Sequence, residues 1–182
     1  MVKRDLRARF RRARAAVSAQ ERADAARAIS AQLLQLVQPT ARAMIYVGVR
    51  HELGTEAIIE ALLQREQPLA VPRMEGDQLV AAKLGRRSDL IPGLYNVPTS
   101  AGDALTPLDI CITPGVAFTK QGDRLGQGGG HYDRFFAANP NLWRIGIAYD
   151  EQIAATLSVE THDVRMHTLI TPTRCWGLTQ RP

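Results

Sequence analysis

A glycine-rich loop with charged neighbours is the part of the sequence best suited to chemistry. Its glycines are Gly126, Gly128, Gly129 and Gly130. They lie between an apolar run at 110–112 and a predicted helix at 131–138. Glycine lets a ligand approach the backbone closely, and amides at a helix N-terminus favour an anion. Arg124 before the loop and Asp133 after it add a cation and a candidate metal ligand, so the loop is predicted to bind phosphate.

The loop matches neither of the common nucleotide-binding motifs. No Gly-Lys-Ser or Gly-Lys-Thr follows the glycines, and His131 occupies the position of the third glycine in the dinucleotide fingerprint. Spacing alone therefore leaves two interpretations open. One is a phosphate-binding loop, and the other is a flexible turn before a helix, in which glycine serves only the shape of the backbone.

Charged residues also recur along the predicted first helix, residues 2–16. Leu6 and Phe10 belong to its apolar face. A basic stripe, which comprises Lys3, Arg7, Arg11 and Arg14, lies about 90° around the helix from that face. A helix docked by its apolar face would point these cations along the rim of the surface beneath it, toward phosphates. The alternative is an ordinary solvated face.

Composition and charge narrow the function classes. The chain has 182 residues, 45% of them hydrophobic and 23% charged, which is typical of one globular domain spanning residues 1–182. A net charge of +5 favours an anionic ligand, either nucleic acid or a small polyanion. The chain lacks an apolar run of membrane-spanning length and the apolar core of a secretory signal, so a cytoplasmic location is expected. Cys111 is predicted to be buried, and the absence of a CxxC spacing makes a zinc site improbable.

The rest of the chain alternates predicted strands and helices. Predicted strands are 43–49, 69–73, 78–83, 109–113, 143–149 and 168–171, and further predicted helices are 19–37, 56–65, 131–138 and 151–157. Ser18 and Glu21 form a predicted capping box, Thr55 is a predicted N-cap, and Pro72 is predicted to end its strand. Glu52 lies in a loop between a strand and a helix, where α/β sheets bind ligands, so it is either a ligand-binding group or a surface carboxylate. The alternation predicts an α/β layered fold with a mostly parallel sheet.

The segment around the glycines resembles a family motif. Residues 114–136, PGVAFTKQGDRLGQGGGHYDRFF, are similar to the phosphate-loop motif of the 5-formyltetrahydrofolate cyclo-ligase family, PG-φ-AF-x3-G-x-RLG-x-G-x-GYYD, where φ is apolar. Other matching segments follow in the family's order: Lys3-x3-Arg7, Glu52-x2-Thr55-Glu56, Tyr95-Asn96-Val97-Pro98 and His162-Asp163.

The resemblance implies a three-layer α/β fold and an ATP- and Mg²⁺-dependent reaction. The family converts 5-formyltetrahydrofolate to 5,10-methenyltetrahydrofolate and releases ADP and phosphate. The implied partner is a reduced folate, with or without a polyglutamate tail. Neither nucleic acid nor membrane is an expected partner, and the expected assembly is a monomer or a homodimer.

The resemblance also assigns residues to roles. The residues implied in catalysis are Lys3, Arg124 and Tyr132. The residues implied to bind ATP are Lys3, Arg7, Arg124, Leu125, Gly126, Gln127, Gly128, Gly129, Gly130, His131, Tyr132 and Asp133. The residues implied to bind the folate are Val47, Glu52, Tyr95, Gly128, Gly129, Gly130, His131 and Tyr132. The implied Mg²⁺ ligands are Asp133 and Asp163, hard oxygen ligands for a hard cation.

Three positions depart from the family pattern. His131 replaces the first tyrosine of Tyr-Tyr-Asp, Gln127 replaces a frequent basic residue, and His167 stands where an acidic residue is common. The change at Gln127 removes one phosphate cation, and the change at His167 argues against a metal role there.

Two other function classes stay open on the sequence. A sugar-phosphate isomerase or a CoA-transferase-like enzyme would also use a glycine-rich anion loop, but it would not need ATP. A basic nucleic-acid-binding module would use the arginine-rich first helix. Against the second, the chain has only ten aromatic residues (four Phe, four Tyr and two Trp), and they are not interleaved with the basic run.

Overall fold

A computed structural model describes residues 2–179, which form four α-helices and a central sheet of seven strands. The helices are α1 (Lys3–Ala16), α2 (Ala19–Leu36), α3 (Glu56–Gln64) and α4 (His131–Ala138). The strands are β1 (Ala43–Ile45), β2 (Leu69–Glu75), β3 (Gln78–Lys83), β4 (Leu90–Ile91), β5 (Thr99–Ser100), β6 (Ile110–Thr113), β7 (Ala117–Thr119), β8 (Arg124–Leu125), β9 (Trp143–Ile147), β10 (Ile153–Ala154), β11 (Thr168–Ile170) and β12 (Cys175–Gly177). Over this described range no helix has the length and apolar character needed to cross a membrane.

The central sheet has the order β12-β11-β9-β6-β1-β2-β3. Its inner pairs are parallel; Ala43, for example, lies opposite Leu69 on one side and Ile110 on the other. The two edge strands, β3 and β12, pair antiparallel with their neighbours. The predicted mostly parallel sheet is confirmed. The sequence pattern predicted no strand after Pro172, so β12 at the edge of this sheet was not predicted.

Strand residues alternate between two packed faces of the sheet. Ile45 and Ile112 pack with α2 and α3 on one face. Met44 and Cys111 pack with Phe136 of α4 on the other. Helices therefore cover both faces, which confirms the three-layer α/β architecture and accounts for the near-continuous apolar strands. The predicted burial of Cys111 is also confirmed, and burial raises the pKa of its thiol to about 12.

A second, smaller sheet carries α1. It consists of β10, β7 and β8. Leu6 and Phe10 of α1 are buried against Val116, Leu125 and Ala154 of this sheet and its flanks. The predicted apolar face of the first helix is therefore the docking face.

The predicted helix at 151–157 is wrong. The chain instead makes one turn of 3₁₀-helix at Asp150–Gln152 and then enters β10, which pairs parallel with β7. The Gln152 side chain is buried and its Nε2 donates to the carbonyl oxygens of Gly115 and Val116, at 2.8 and 3.1 Å. These distant acceptors outweigh the weak local helical pattern.

The predicted strand at 43–49 is shorter in the structure because a side chain takes over its hydrogen bonds. The Thr55 hydroxyl donates to the Tyr46 carbonyl at 2.8 Å and accepts from the Gly48 amide at 3.0 Å. Thr55 does lie at the N-cap position of α3, but its side chain makes no capping bond to that helix. It joins the end of β1 to the start of α3 instead.

Pro72 does not end its strand. It lies inside β2, opposite Ala81 of β3. Pairing of β2 with β1 involves only Leu69 and Ala70, so no partner in β1 needs the N–H that proline lacks. The Pro72 carbonyl accepts from the Thr99 hydroxyl at 2.8 Å, and β2 continues beyond it.

Candidate functional site

The basic stripe of α1 lies against the glycine loop. Arg7 Nε donates to the Gly126 carbonyl oxygen at 2.9 Å. One turn further along, Arg11 donates to Gln127 Oε1 from both Nε and Nη2, at 3.2 and 2.5 Å. Docking through Leu6 thus presents the stripe to the loop, so the arrangement concentrates positive charge there. Gln127 stands where the family motif frequently has a basic residue, and Arg11 of α1 places a cation beside it.

The loop backbone needs glycine at two positions. Gly128 has φ +113° and Gly130 has φ +65°, in the region that side chains disfavour. Gly130 is also the N-cap of α4. The loop therefore turns sharply into a helix N-terminus, the arrangement that suits an anion. Leu125, which precedes the first glycine of the loop, is buried in the core beneath α1.

Arg134 holds the loop from its outer side. Its Nη1 donates to the Gly129 carbonyl at 3.0 Å, and its Nη2 lies 2.9 Å from His131 Nδ1. The same Nη2 lies 3.5 Å from the carbonyl of Asp77, in the turn between β2 and β3. Arg134 thereby fixes the ring of His131, the residue that replaces a tyrosine of the family motif.

Arg124 and Asp133 form a buried ion pair at the base of the loop. Arg124 Nη2 lies 3.0 and 2.9 Å from the two carboxylate oxygens of Asp133, and the Arg124 side chain is 4% exposed. Arg124 Nε is buried and has no hydrogen-bond partner among residues 2–179. A buried donor without a partner is costly, so this atom is suited to an anionic ligand.

Tyr132 lies beneath the Arg124 guanidinium. Its ring centroid is 5.5 Å from the guanidinium carbon and 5.9 Å from the ring of Phe136. Burial raises the pKa of the Tyr132 hydroxyl well above its usual value, and Cys111 and Glu52 raise it further against the opposing charge of Arg124. The hydroxyl is therefore a neutral donor at physiological pH.

Lys3 closes a cluster of acidic groups at the other end of α1. Its Nζ lies 2.8 Å from Asp163 Oδ2 and 2.9 Å from Glu160 Oε1. Burial lowers the pKa of the Lys3 ammonium, but its bonds to Asp163 and Glu160 outweigh that effect and leave the pKa raised. Burial raises the pKa of Asp163, but the bond from Lys3 outweighs that effect and leaves the pKa lowered.

The same cluster offers atoms suited to a metal ion. Ligand atoms of Glu160, His162 and Asp163 lie within 4.8 Å of one another. Two carboxylates fit Mg²⁺, which takes oxygen ligands and few protein groups. Both oxygens of Asp133, by contrast, already face Arg124. The residues present therefore fit a magnesium ion best at Asp163.

A cavity joins these groups. It has a volume of about 230 Å³, and its lining includes Arg124, Glu160, Asp163 and Val164. Asp133 accepts from the Val164 amide at 3.4 Å, so both predicted metal ligands border this region. The cavity brings the predicted phosphate cation and the predicted metal ligand together.

Glu52 lies at the far end of the α1 stripe. Its Oε1 is 3.6 Å from Arg14 Nη1, and its Oε2 accepts from the Val49 amide at 3.3 Å. Its side chain is only 15% exposed. A carboxylate held this way is suited to bind N–H donors of a ligand.

Two residues predicted to contact the folate lie outside the groups of charged residues described above. Val47 is buried in the apolar core on the α2 and α3 side of the sheet. Tyr95 is 76% exposed and has φ +57°. A folate contact at either residue stays a prediction.

Both ring nitrogens of His167 face Arg144. Its Nδ1 lies 3.1 Å from the Arg144 amide nitrogen, and its Nε2 lies 2.7 Å from Arg144 Nη2. Burial, followed by the charge of Arg144, lowers the pKa of the imidazole. The sequence argument against a metal role at this position agrees with these contacts.

Four site residues had no assigned role in the sequence analysis. Arg11 and Arg14 were named only as members of the stripe, although the heptad spacing of Arg14 from Arg7 was a usable signal. Glu160 stands two positions before His162-Asp163, so its proximity was also readable. Arg134 had no sequence signal, because its partners include the carbonyls of Gly129 and of a distant hairpin.

Comparison with known proteins gives one consistent result. Residues 1–172 match the model of the 5-formyltetrahydrofolate cyclo-ligase family. The 5-formyltetrahydrofolate cyclo-ligase of Escherichia coli is 29% identical over 142 residues, which cover 72% of this chain and 78% of that protein. The mouse protein of the same name is 27% identical over 184 residues, with 91% of each chain covered.

A solved structure supports the same relationship. The NMR structure of the 5,10-methenyltetrahydrofolate synthetase of Aquifex aeolicus superposes with a TM-score of 0.88 and 25% identity. The superposition covers 99% of this chain and 94% of that chain, so the likeness extends over the whole layered fold.

Proposed function

The chain belongs to the 5-formyltetrahydrofolate cyclo-ligase family, and from this premise we propose that it converts 5-formyltetrahydrofolate to 5,10-methenyltetrahydrofolate, consuming ATP, binding Mg²⁺, and releasing ADP and phosphate. One observation supports this function most. The basic stripe of a single helix contacts the acidic cluster through Lys3, the glycine loop through Arg7, and Glu52 through Arg14.

The chemistry consists of two displacements. The formyl oxygen attacks the γ-phosphorus of ATP, the bond from phosphorus to the bridging oxygen breaks, and ADP leaves with its electron pair. The nitrogen at folate position 10 then attacks the activated formyl carbon. The carbon–oxygen bond breaks, the oxygen departs as part of phosphate, and the nitrogen loses its proton, which the phosphate takes up. Such phosphoryl transfer needs positioning and charge neutralisation more than covalent help from the protein.

The ATP phosphates would bind at the glycine loop. Amides at Gly128–Gly130 and the N-terminus of α4 supply donors, and Arg7 and Arg124 supply charge. The unpartnered Nε of Arg124 supports its role. Lys3 would neutralise phosphate oxygen after leaving the acidic cluster. His131 would lie beside the bound phosphates, held by Arg134.

Magnesium would be held by Asp163 together with Glu160, the pair that Lys3 now bridges. Asp133 would join them when Arg124 turns from it toward a phosphate. Bound at these carboxylates, the ion supplies neutralisation of the phosphate charge.

The folate would bind between Glu52 and Tyr132. The pterin ring carries amino and ring N–H groups that match a carboxylate, and Glu52 is a largely buried carboxylate whose Oε2 is bonded to the Val49 amide. Tyr132, a neutral hydroxyl donor, would line the pocket, and Val47 and Tyr95 would complete it. The polyglutamate tail, the cytoplasmic location and the monomeric or dimeric state stay predictions.

The test is a stoichiometric assay with the purified enzyme. Incubation with 5-formyltetrahydrofolate, ATP and Mg²⁺ should form the 5,10-methenyl chromophore and one ADP per product, and omission of ATP should abolish both. Turnover of a sugar phosphate or a CoA thioester without ATP, and no methenyl product, would favour an isomerase or CoA-transferase. A tight, steeply salt-dependent complex with duplex DNA, again without product, would favour a nucleic-acid-binding module.

A further inference from the structure

Arg14 is a buried cation in the α1 stripe. The residue is 8% exposed, and its Nη1 lies 3.6 Å from Oε1 of Glu52. Its Nε is buried without a hydrogen-bond partner over residues 2–179. A buried charge is unfavourable unless it is well paired. The site therefore retains an arginine that packing alone does not explain.

A chain of contacts fixes both Arg14 and Glu52. Arg22 Nη2 donates to the Arg14 carbonyl at 3.0 Å, and the Arg22 guanidinium lies 5.9 Å from the centre of the Tyr149 ring. The Tyr149 hydroxyl donates to the Glu52 carbonyl at 3.3 Å. The contacts run from the Arg14 carbonyl through Arg22 and Tyr149 to the Glu52 carbonyl, so the main-chain segments that carry the cation and the carboxylate are joined.

The distance between the charges leaves the carboxylate available. At 3.6 Å the contact is an ion pair and not a hydrogen bond. Glu52 Oε2 accepts from the Val49 amide, which sets the plane of the carboxylate, while Oε1 keeps lone pairs for another donor. Arg14 therefore supplies charge to Glu52 without occupying its remaining acceptor position.

We propose that Arg14 is a positioning residue for the folate site, whose guanidinium holds the Glu52 carboxylate oriented toward the pterin N–H groups. The inference rests on the proposed function, since it acts on the same substrate. Arg14 also follows Arg7 by two helical turns, about 10 Å along α1. The helix thus fixes the spacing between the Glu52 carboxylate and the glycine loop.

The test measures binding of 5-formyltetrahydrofolate and ATP separately, by titration calorimetry with the full-length enzyme. Arg14→Met should raise the Kd for the folate about tenfold and leave the Kd for ATP within about twofold. Arg14→Lys, which keeps the charge, should bind the folate within about threefold of the unaltered enzyme. Arg12→Met, at an exposed arginine of the same helix, is the matched control and should change neither constant.

A double-mutant cycle separates positioning from general packing. Glu52→Gln should weaken folate binding, and adding Arg14→Met should weaken it no further, because Arg14 acts through Glu52. Additive losses, or normal folate binding by Arg14→Met, would overturn the inference alone. If Arg14→Met fails to fold, a tenfold loss of folate binding in folded Arg14→Lys would overturn it, and retained binding would support it. No folate binding by the unaltered enzyme would instead overturn the proposed function.

Discussion

Arg7 and Gly126 are joined by a hydrogen bond from the Arg7 Nε to the Gly126 carbonyl oxygen, 2.9 Å long, across 119 positions of sequence. The bond ties the first helix of the chain to the glycine loop. It fixes the guanidinium where the loop turns toward α4. The helix also contacts Glu52 and Asp163, so α1 links all three parts of the site.

Replacement of Arg7 should impair use of ATP. Arg7→Ala removes a charged donor and its bond to the loop, interactions typically of about 1.5–3 kcal/mol. We expect kcat/KM for ATP to fall by about tenfold to a hundredfold, with the KM for folate little changed. Steady-state kinetics measures both. Arg12→Ala is the control, and equal losses in both variants would show that Arg7 has no special role.

Replacement of Arg124 should affect both stability and catalysis. Its side chain is 4% exposed and pairs with Asp133, so Arg124→Ala leaves a poorly compensated carboxylate. Breaking a buried pair costs about 3–5 kcal/mol, which denaturant unfolding can measure. Arg124→Lys keeps the charge and should retain more of the stability, but it lacks the planar guanidinium and its several donor nitrogens, so most ATP use should be lost. Unchanged unfolding of Arg124→Ala would contradict a structural contribution from this pair.

Asp163→Asn should weaken the binding of magnesium. The substitution removes one of the two carboxylates that Lys3 bridges, and the Mg²⁺ concentration for half-maximal rate should rise by at least about tenfold. Asp123→Asn is a matched control, because Asp123 lines the same cavity but bonds to Thr119 and Arg165. A magnesium dependence shifted equally in both variants would argue against a specific metal role for Asp163.

His167 should make stability fall on mild acidification. Its pKa in the folded protein is lowered, chiefly by burial, while an unfolded histidine has a pKa of about 6.5. Below about pH 6.5 the unfolded chain therefore binds a proton that the folded protein does not, and the free energy of unfolding decreases until the folded pKa is reached. His167→Asn should remove this component of the pH slope. An unchanged slope between pH 7.5 and 5.5 would contradict the prediction.

The sequence predicted those features that depend on local pattern. Three such features depend only on residues that are close in the sequence, and all are confirmed: the apolar face of α1, the capping box at Ser18 and the apolar parallel strands. The shape of the glycine loop was also predictable, since positive φ at Gly128 and Gly130 requires glycine.

Features decided by distant partners were not predictable from local pattern. Residues 153–154 form a strand because Gln152 is anchored to the carbonyls at 115 and 116. The hydroxyl of Thr55 bonds to the end of β1 instead of capping α3. The pairing of Asp133 with Arg124, which alters its suitability as a metal ligand, likewise requires the folded geometry of the loop.

The most direct test of the central claim follows the formyl oxygen. The substrate is 5-formyltetrahydrofolate labelled with oxygen-18 in its formyl group, and mass spectrometry of the released phosphate is the measurement. In the proposed mechanism the formyl oxygen is phosphorylated and leaves with phosphorus, so we predict one labelled oxygen in each phosphate formed with 5,10-methenyltetrahydrofolate. Release of unlabelled phosphate while the methenyl product accumulates would contradict the account.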